Sequence, residues 1–460
     1  MLIIVGILIV FVVLFFVCWS LIKGFPAQAV LLFSGILMLM FASLMGFDFL
    51  EGITNDDNKI SIVKVISIVS NQFSKSLGGV GLMIMSIGGF VAYSDHIGAS
   101  NELVRRTLGG IKTLKLSPSL TCVAILPLMQ LIFVCIPSAA GCACLFMVSV
   151  FPVLVGLGVS RASAVSVITG STAFGMGPAS AITASASSIA NLPIVDYFIQ
   201  YQIPAVVPLM LLMAISYYFV NRYFDRKDNL VSKNISNYET QELQVVPGYF
   251  ALIPIIPIII LVSVYLLNEY MEINILLNTT MAMLISWIIA LFAYYTKNKS
   301  ISLLMESTKV FWTGMSNIFV TVVTLVITAG VFAKGLISLG FIQAMIDGVQ
   351  YLGLGSSLVL IIFTLLVFLS SMLMGSGNAA FFSFGPLIPD IATKFGVSSI
   401  NMILPMNLAA SLGRTVSPIS GVVLATSSIA DVPVAEIVKR NFIPIFIALI
   451  IMLTMQILFL

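Results

Sequence analysis

Arg414 stands alone: it is the sole formal charge between Lys394 and Asp431. Around it lie Gly375-Ser376-Gly377-Asn378, Leu412-Gly413-Arg414-Thr415 and Ser417-Pro418, set in sequence apolar enough for lipid. A guanidinium at membrane depth costs roughly 2.5 to 3.5 kcal/mol on insertion scales, so its retention calls for a role. The planar fork suits a carboxylate. Ser376, Gly377, Asn378, Thr415 and Ser417 would complete an anion site on one side, and Ser138, Gly141, Ser171 and Thr172 on the other. Ser417-Pro418 reads as a helix N-cap followed by proline at the first helical position, with Gly177-Pro178 as its counterpart, and Asn378 as a cap of the same kind. Helix ends aimed at the membrane centre would present free N–H groups and a positive dipole to an anion. Unwound carbonyls near Asn378 and Ser138 could hold Na⁺. The plainer alternative is an arginine tied to backbone carbonyls and hydroxyls bonded within their own helices.

Other chemistry finds little support. One histidine, His96, makes a zinc site hard to build, and all five cysteines sit in apolar stretches where disulfides are not expected. Neither a His-Glu-x-x-His motif nor a Gly-Lys P-loop dipeptide occurs, so no enzyme, no cofactor and no ATP-driven step is expected. Asp95 and His96, at the end of the third helix beside basic residues, read as interfacial, with a proton relay as the alternative.

The elements that must position these residues are membrane helices. Of 460 residues 60% are hydrophobic and 8% charged, with mean hydropathy +1.14, which describes an all-α polytopic membrane protein embedded in a lipid bilayer. The net charge of +3 bears on topology, and no nucleic-acid partner is expected. Met1 to Ile22 lacks a basic leader and a cleavage site and is expected to remain as a helix. The first half, 1–220, is expected to contain scaffold helices over 1–95, a re-entrant hairpin over 116–155, a broken helix over 162–190 and a helix over 203–220. The amphipathic stretches 59–76 and 299–312 are expected to lie in the interface. A polar linker spans 221–245. The second half, 246–460, repeats the order, with a hairpin over 356–389, a broken helix over 400–430 and a helix over 441–460.

The repeat is numerical as well as compositional. Ser187-Ser188-Ile189-Ala190 recurs as Ser427-Ser428-Ile429-Ala430, and the same shift of 240 positions carries Pro178 to Pro418, Pro193 to Pro433 and Pro204 to Pro444. Five crossings per copy would invert the second, giving two inverted repeats with about ten transmembrane helices, two re-entrant hairpins and two broken helices. Positive-inside counting places both termini outside. Phe174 occupies the position matching Arg414, so the site is expected to be asymmetric.

Specific stretches resemble the anaerobic C4-dicarboxylate carriers of the DcuC type, in the ion-transporter superfamily. They are Gly79 to Met85, Ala92 to Ala99, Gly375-Ser376-Gly377-Asn378-Ala379, Leu412 to Val423, Ala329 to Ala333 and Val438-Lys439-Arg440. The resemblance spans the whole length. It implies a secondary transporter of the bacterial inner membrane that exchanges or exports succinate, fumarate or malate. It also implies a homodimer working as an elevator. Na⁺ or H⁺ could serve as coupling ion. Transport of another small organic anion or an amino acid, or a passive anion channel, are the alternatives.

Overall fold

Long apolar runs leave the backbone no partner but itself, and helices follow. The computed structural model describes residues 2–23, 25–45, 61–108, 117–227, 246–271, 275–341, 343–344, 347 and 356–458. Helices α1 (Leu2–Ile22) and α2 (Ala27–Leu44) open the chain, followed by α3 (Ser61–Ser76) and α4 (Leu82–His96). A short α5 (Ala99–Leu108) comes next. The first hairpin consists of α6 (Pro118–Cys135), α7 (Ala139–Ser149) and α8 (Phe151–Gly156). The first broken helix is α9 (Arg161–Gly170) and α10 (Ala181–Ile189), and α11 (Ile194–Asp196) leads into α12 (Ile203–Lys227).

The second half runs through α13 (Ile256–Met271), α14 (Thr279–Asn298), α15 (Ile301–Ile318) and α16 (Thr324–Ser338). Its hairpin is α17 (Ser356–Met374), α18 (Gly377–Phe384) and α19 (Ile388–Phe395), its broken helix α20 (Ser399–Thr415) and α21 (Gly421–Ala430), and α22 (Val434–Leu458) follows. Among the described residues ten helical stretches are long and apolar enough to cross a membrane. Three of these, Pro118–Cys135, Ala139–Gly156 and Ser357–Met374, are hairpin arms.

Two boundaries differ from expectation. The second amphipathic stretch is not a separate surface helix, since α15 continues through the π-helical turn Phe319–Val323 into α16 and its polar stripe is one end of the run Ile301–Ser338. In the first, α3 and α4 meet at a kink within Leu77–Gly81, where Gly79 leaves helical geometry at φ −100°, ψ −110°, so α3 stands as a helix of its own. The polar stretch 221–227 is also no linker. It prolongs α12, because Asn221 is buried and Asp225 meets the fully buried Arg440 of α22 at 2.7 Å. Glu436 at 2.8 Å, the Ser163 hydroxyl at 2.9 Å and Asn221 Oδ1 at 3.5 Å are further partners of the arginine, so a polar sequence here packs as core.

Packing between the halves is reciprocal. α2 lies against α16 while α14 lies against α4, and α7 touches α21 while α18 touches α10. Two buried amides stitch the broken helices together. Gln202 donates to Thr183 Oγ1 at 3.1 Å and to Asn407 Oδ1 at 2.9 Å, and accepts from the Gly177 N–H at 3.1 Å. Asn441 donates to Thr169 Oγ1 at 2.8 Å and to the Thr415 carbonyl at 3.2 Å, and accepts from the Tyr217 hydroxyl at 3.0 Å. Each amide therefore satisfies backbone or side-chain groups from both breaks in a place water does not reach.

α5 packs against the 3₁₀ turn Gly248–Ile255 that starts the second half. Its buried Glu102 accepts two hydrogen bonds from Arg105 and one from Arg106. The bonded Arg105 guanidinium, reinforced by Arg106, holds this carboxyl below its ordinary range against the cost of burial.

Candidate functional site

The two breaks are unequal, and the sequence explains why. α9 stops at Gly170, whereas α20 runs to Thr415, five residues further in the 240-position register. Gly175 and Gly177 stand where the second half has Thr415 and Ser417. Glycines give up helical order more readily, and Gly177 adopts φ +100°, a conformation open to glycine, so the first break unwinds early. The extra turn of α20 carries Arg414 into contact with the first break, where its Nη2 donates to the Thr172 carbonyl at 2.5 Å. Its Nε is buried and has no protein partner among the described residues.

That guanidinium borders a cavity of about 370 Å³. One wall is α4 and α15, with Gly88, Ala92, Asp95, Gly314 and Asn317. The other gathers Pro137, Ser138 and Ala139 at the first hairpin tip, Gly175 and Ala179 to Ile182 from the first break, Asn378 of α18, and Ser411 and Arg414 of α20. Charge is confined to Asp95 and Arg414. A pocket this size, mostly apolar with a few convergent polar groups, suits a small polar organic molecule.

Of the ten sequence candidates, the structure brings Arg414, Asn378 and Ser138 to the cavity. Ser138 also caps α7 by accepting from the Gly141 N–H at 3.3 Å, which leaves Gly141 behind the tip. Asn378 does not cap its helix: Ser376 does, accepting from the Ala379 N–H at 3.3 Å. Gly377 packs on α20, where an added Cβ would lie 2.7 Å from the Ala410 carbonyl oxygen. Ser171, Thr172 and Thr415 spend their hydroxyls on the carbonyls of Ile168, Thr169 and Ser411. Only the backbone carbonyl of Thr172 serves the site.

Ser417-Pro418 is a turn rather than a cap and first helical residue, and so is Gly177-Pro178. The second arms start three residues later, at caps Ser420 and Ser180. Proline fits those turns because its fixed φ starts a turn as readily as a helix. Ser180 lines the cavity, as do Ser411, Asn317 and Asp95, which the sequence did not single out as site residues. The 240-position register linking Ser180 to Ser420 was the available signal for one of them. Asp95 is not merely interfacial, since α4 delivers it to the cavity wall. Among the described residues no group of three metal-binding side chains converges.

Known proteins share this design. A profile described as the C4-dicarboxylate anaerobic carrier matches residues 5–460. The chain belongs to that family. It is 32% identical over 440 residues to the probable anaerobic C4-dicarboxylate transporter DcuC of Vibrio cholerae, covering 95% of this chain and 94% of the relative. To the anaerobic C4-dicarboxylate transporter DcuC of Escherichia coli K12 it is 30% identical over 434 residues, covering 94% and 92%. In fold it is similar to Neisseria gonorrhoeae MtrF, at TM-score 0.65 and 15% identity over 95% of this chain and 96% of that one. The YdaH transporter of Alcanivorax borkumensis matches at TM-score 0.59 and 14% identity, covering 94% and 98%. As a member of a carrier family built from apolar helices, this chain is a multi-pass membrane transporter and not an enzyme.

Proposed function

We propose that the chain is a secondary active transporter of C4-dicarboxylates, exchanging or exporting succinate, fumarate or malate across the bacterial inner membrane. The observation that carries this is Arg414, which lines a cavity bounded by a hairpin tip and by both broken helices and whose buried Nε has no partner among the described residues. Relatives named for C4-dicarboxylate transport support the substrate class. The reciprocal packing supports two inverted repeats, divided as expected from sequence except that 221–227 belongs to α12. Positive-inside counting supports both termini outside. The resemblance to the DcuC-type carriers implies a homodimeric elevator in which hairpins and broken helices move against α1 to α4 and their counterparts. Na⁺ near Asn378 and Ser138, or H⁺, would serve as coupling ion.

Counterflow of labelled succinate into proteoliposomes tests the assignment. Arg414→Ala removes a charge-assisted contact worth roughly 1.5 to 3 kcal/mol, so uptake at low substrate should fall about tenfold or more. Equal uptake by wild type and variant refutes it. The opposite charges of Asp95 and Arg414 in one cavity would also suit a zwitterion, and competition by L-aspartate but not by succinate would select an amino-acid carrier instead.

A further inference from the structure

Asp95 occupies the last turn of α4, where the helix dipole is negative and a carboxylate is disfavoured. It accepts a hydrogen bond from the Ser100 hydroxyl, and no cation among the described residues lies within ion-pair distance of it. Its side chain is exposed and borders the same cavity as Arg414. With one formal charge of each sign, the empty cavity is neutral and a dianion bound there would bring it to a net charge of minus two. Two carboxylates held against each other in one cavity repel, and the pair is relieved by sharing a proton.

We propose that Asp95 is a specificity-determining residue that sets the protonation form of the bound diacid. The inference rests on the dicarboxylate reading above. Arg414 takes one end as a carboxylate, and the second carboxyl is admitted when one proton from water is held between it and Asp95. That proton returns to water when the diacid leaves.

The neighbouring ionisable groups do not supply a counter-charge. His96 and Tyr93 share its helix, and α14 adds Tyr294, edge-on to Tyr93 and tilted to His96, and Lys297, whose ammonium lies over the Phe250 ring. Glu102, Arg105 and Arg106 of α5 are paired with one another, Cys142 of α7 is buried, and Glu306 and Lys309 of α15 are exposed. α10 carries no ionisable side chain.

The test is counterflow of labelled fumarate by the full-length chain in proteoliposomes, at about pH 8 and about pH 6, where both fumarate carboxyls stay ionised in solution and linked uptake of one proton changes affinity up to about tenfold per pH unit. The wild-type KM should fall at least about fivefold on acidification. Asp95→Asn should give a low KM that does not change with pH, and Asp95→Glu should restore the dependence. Ser100→Ala, which leaves the carboxylate in place without its donor, should move the midpoint of the wild-type profile to higher pH. An Asp95→Asn profile that follows the wild type, or a Ser100→Ala midpoint that stays in place, overturns the inference while leaving C4-dicarboxylate transport standing. A wild type that carries no C4-dicarboxylate at any pH overturns the proposed function itself.

Discussion

Replacing Gln202 by leucine removes an amide that holds both breaks while changing side-chain volume little. Gln202 is fully buried and makes three hydrogen bonds. Thr183 Oγ1 keeps a second partner in the Gly175 carbonyl at 3.3 Å, but the Gly177 N–H and Asn407 Oδ1 lose the sole partners described for them. Orphaning a buried polar group costs roughly 1 to 3 kcal/mol, so the pair should cost about 2 to 6. Burying leucine in place of the amide offsets part of that, on the order of 1 to 2 kcal/mol. In a chain of 460 residues the remaining deficit, about 1 to 4 kcal/mol, should lower the thermal midpoint by roughly 1 to 4 °C. Thermal unfolding of the purified, detergent-solubilised protein reads this directly, and succinate counterflow reads the loosened tip beside the cavity. A Gln202→Leu protein that melts within about 1 °C of wild type and transports normally would show that the amide does not position the breaks.

Gly413→Ala should be more damaging than its size suggests, because the new Cβ would sit 2.3 Å from the Phe368 carbonyl oxygen and force α17 away from α20. A melting point several degrees lower and weakened succinate uptake are expected, at an overpacking cost of about 1 to 3 kcal/mol. On the acid side, Glu102 contributes stability that is present above the ordinary carboxylate value and is lost as pH falls toward its lowered folded value. Melting curves across that window should therefore be flatter for Glu102→Gln than for wild type.

Much of the architecture is legible in the sequence because membrane helices are interrupted only by residues that can tolerate it. The Gly, Pro and Ser clusters at 137–141, 170–178, 375–378 and 411–418 mark hairpin tips and breaks that the structure places within a few residues. What a side chain meets is less legible. Ser171, Thr172 and Thr415 could equally face a ligand or their own helix, and local carbonyls one turn away win. Asn221 and Asp225 look like linker residues because their partner, Arg440, lies more than two hundred positions onward. Asp95 reads as interfacial for the same reason, since the cavity wall opposite it comes from distant hairpin and broken-helix residues. The difference between Gly175 and Gly177 and the matching Thr415 and Ser417 was readable, and it accounts for the helical turn that presents Arg414.

The crossed stitching has a consequence for how the protein is made. When α12 emerges during synthesis, Gln202 still lacks Asn407 and Asp225 still lacks Arg440, and Thr169 waits for Asn441. Each will find its partner only after nearly two hundred or more further residues have been added. The first half is therefore inserted with polar groups that lack part of their final bonding, and the cavity is not complete until α20 brings Ser411 and Arg414. The candidate site is thus among the last parts of this carrier to form, so a chain shortened before α20 should be open to quality-control proteases rather than partly active.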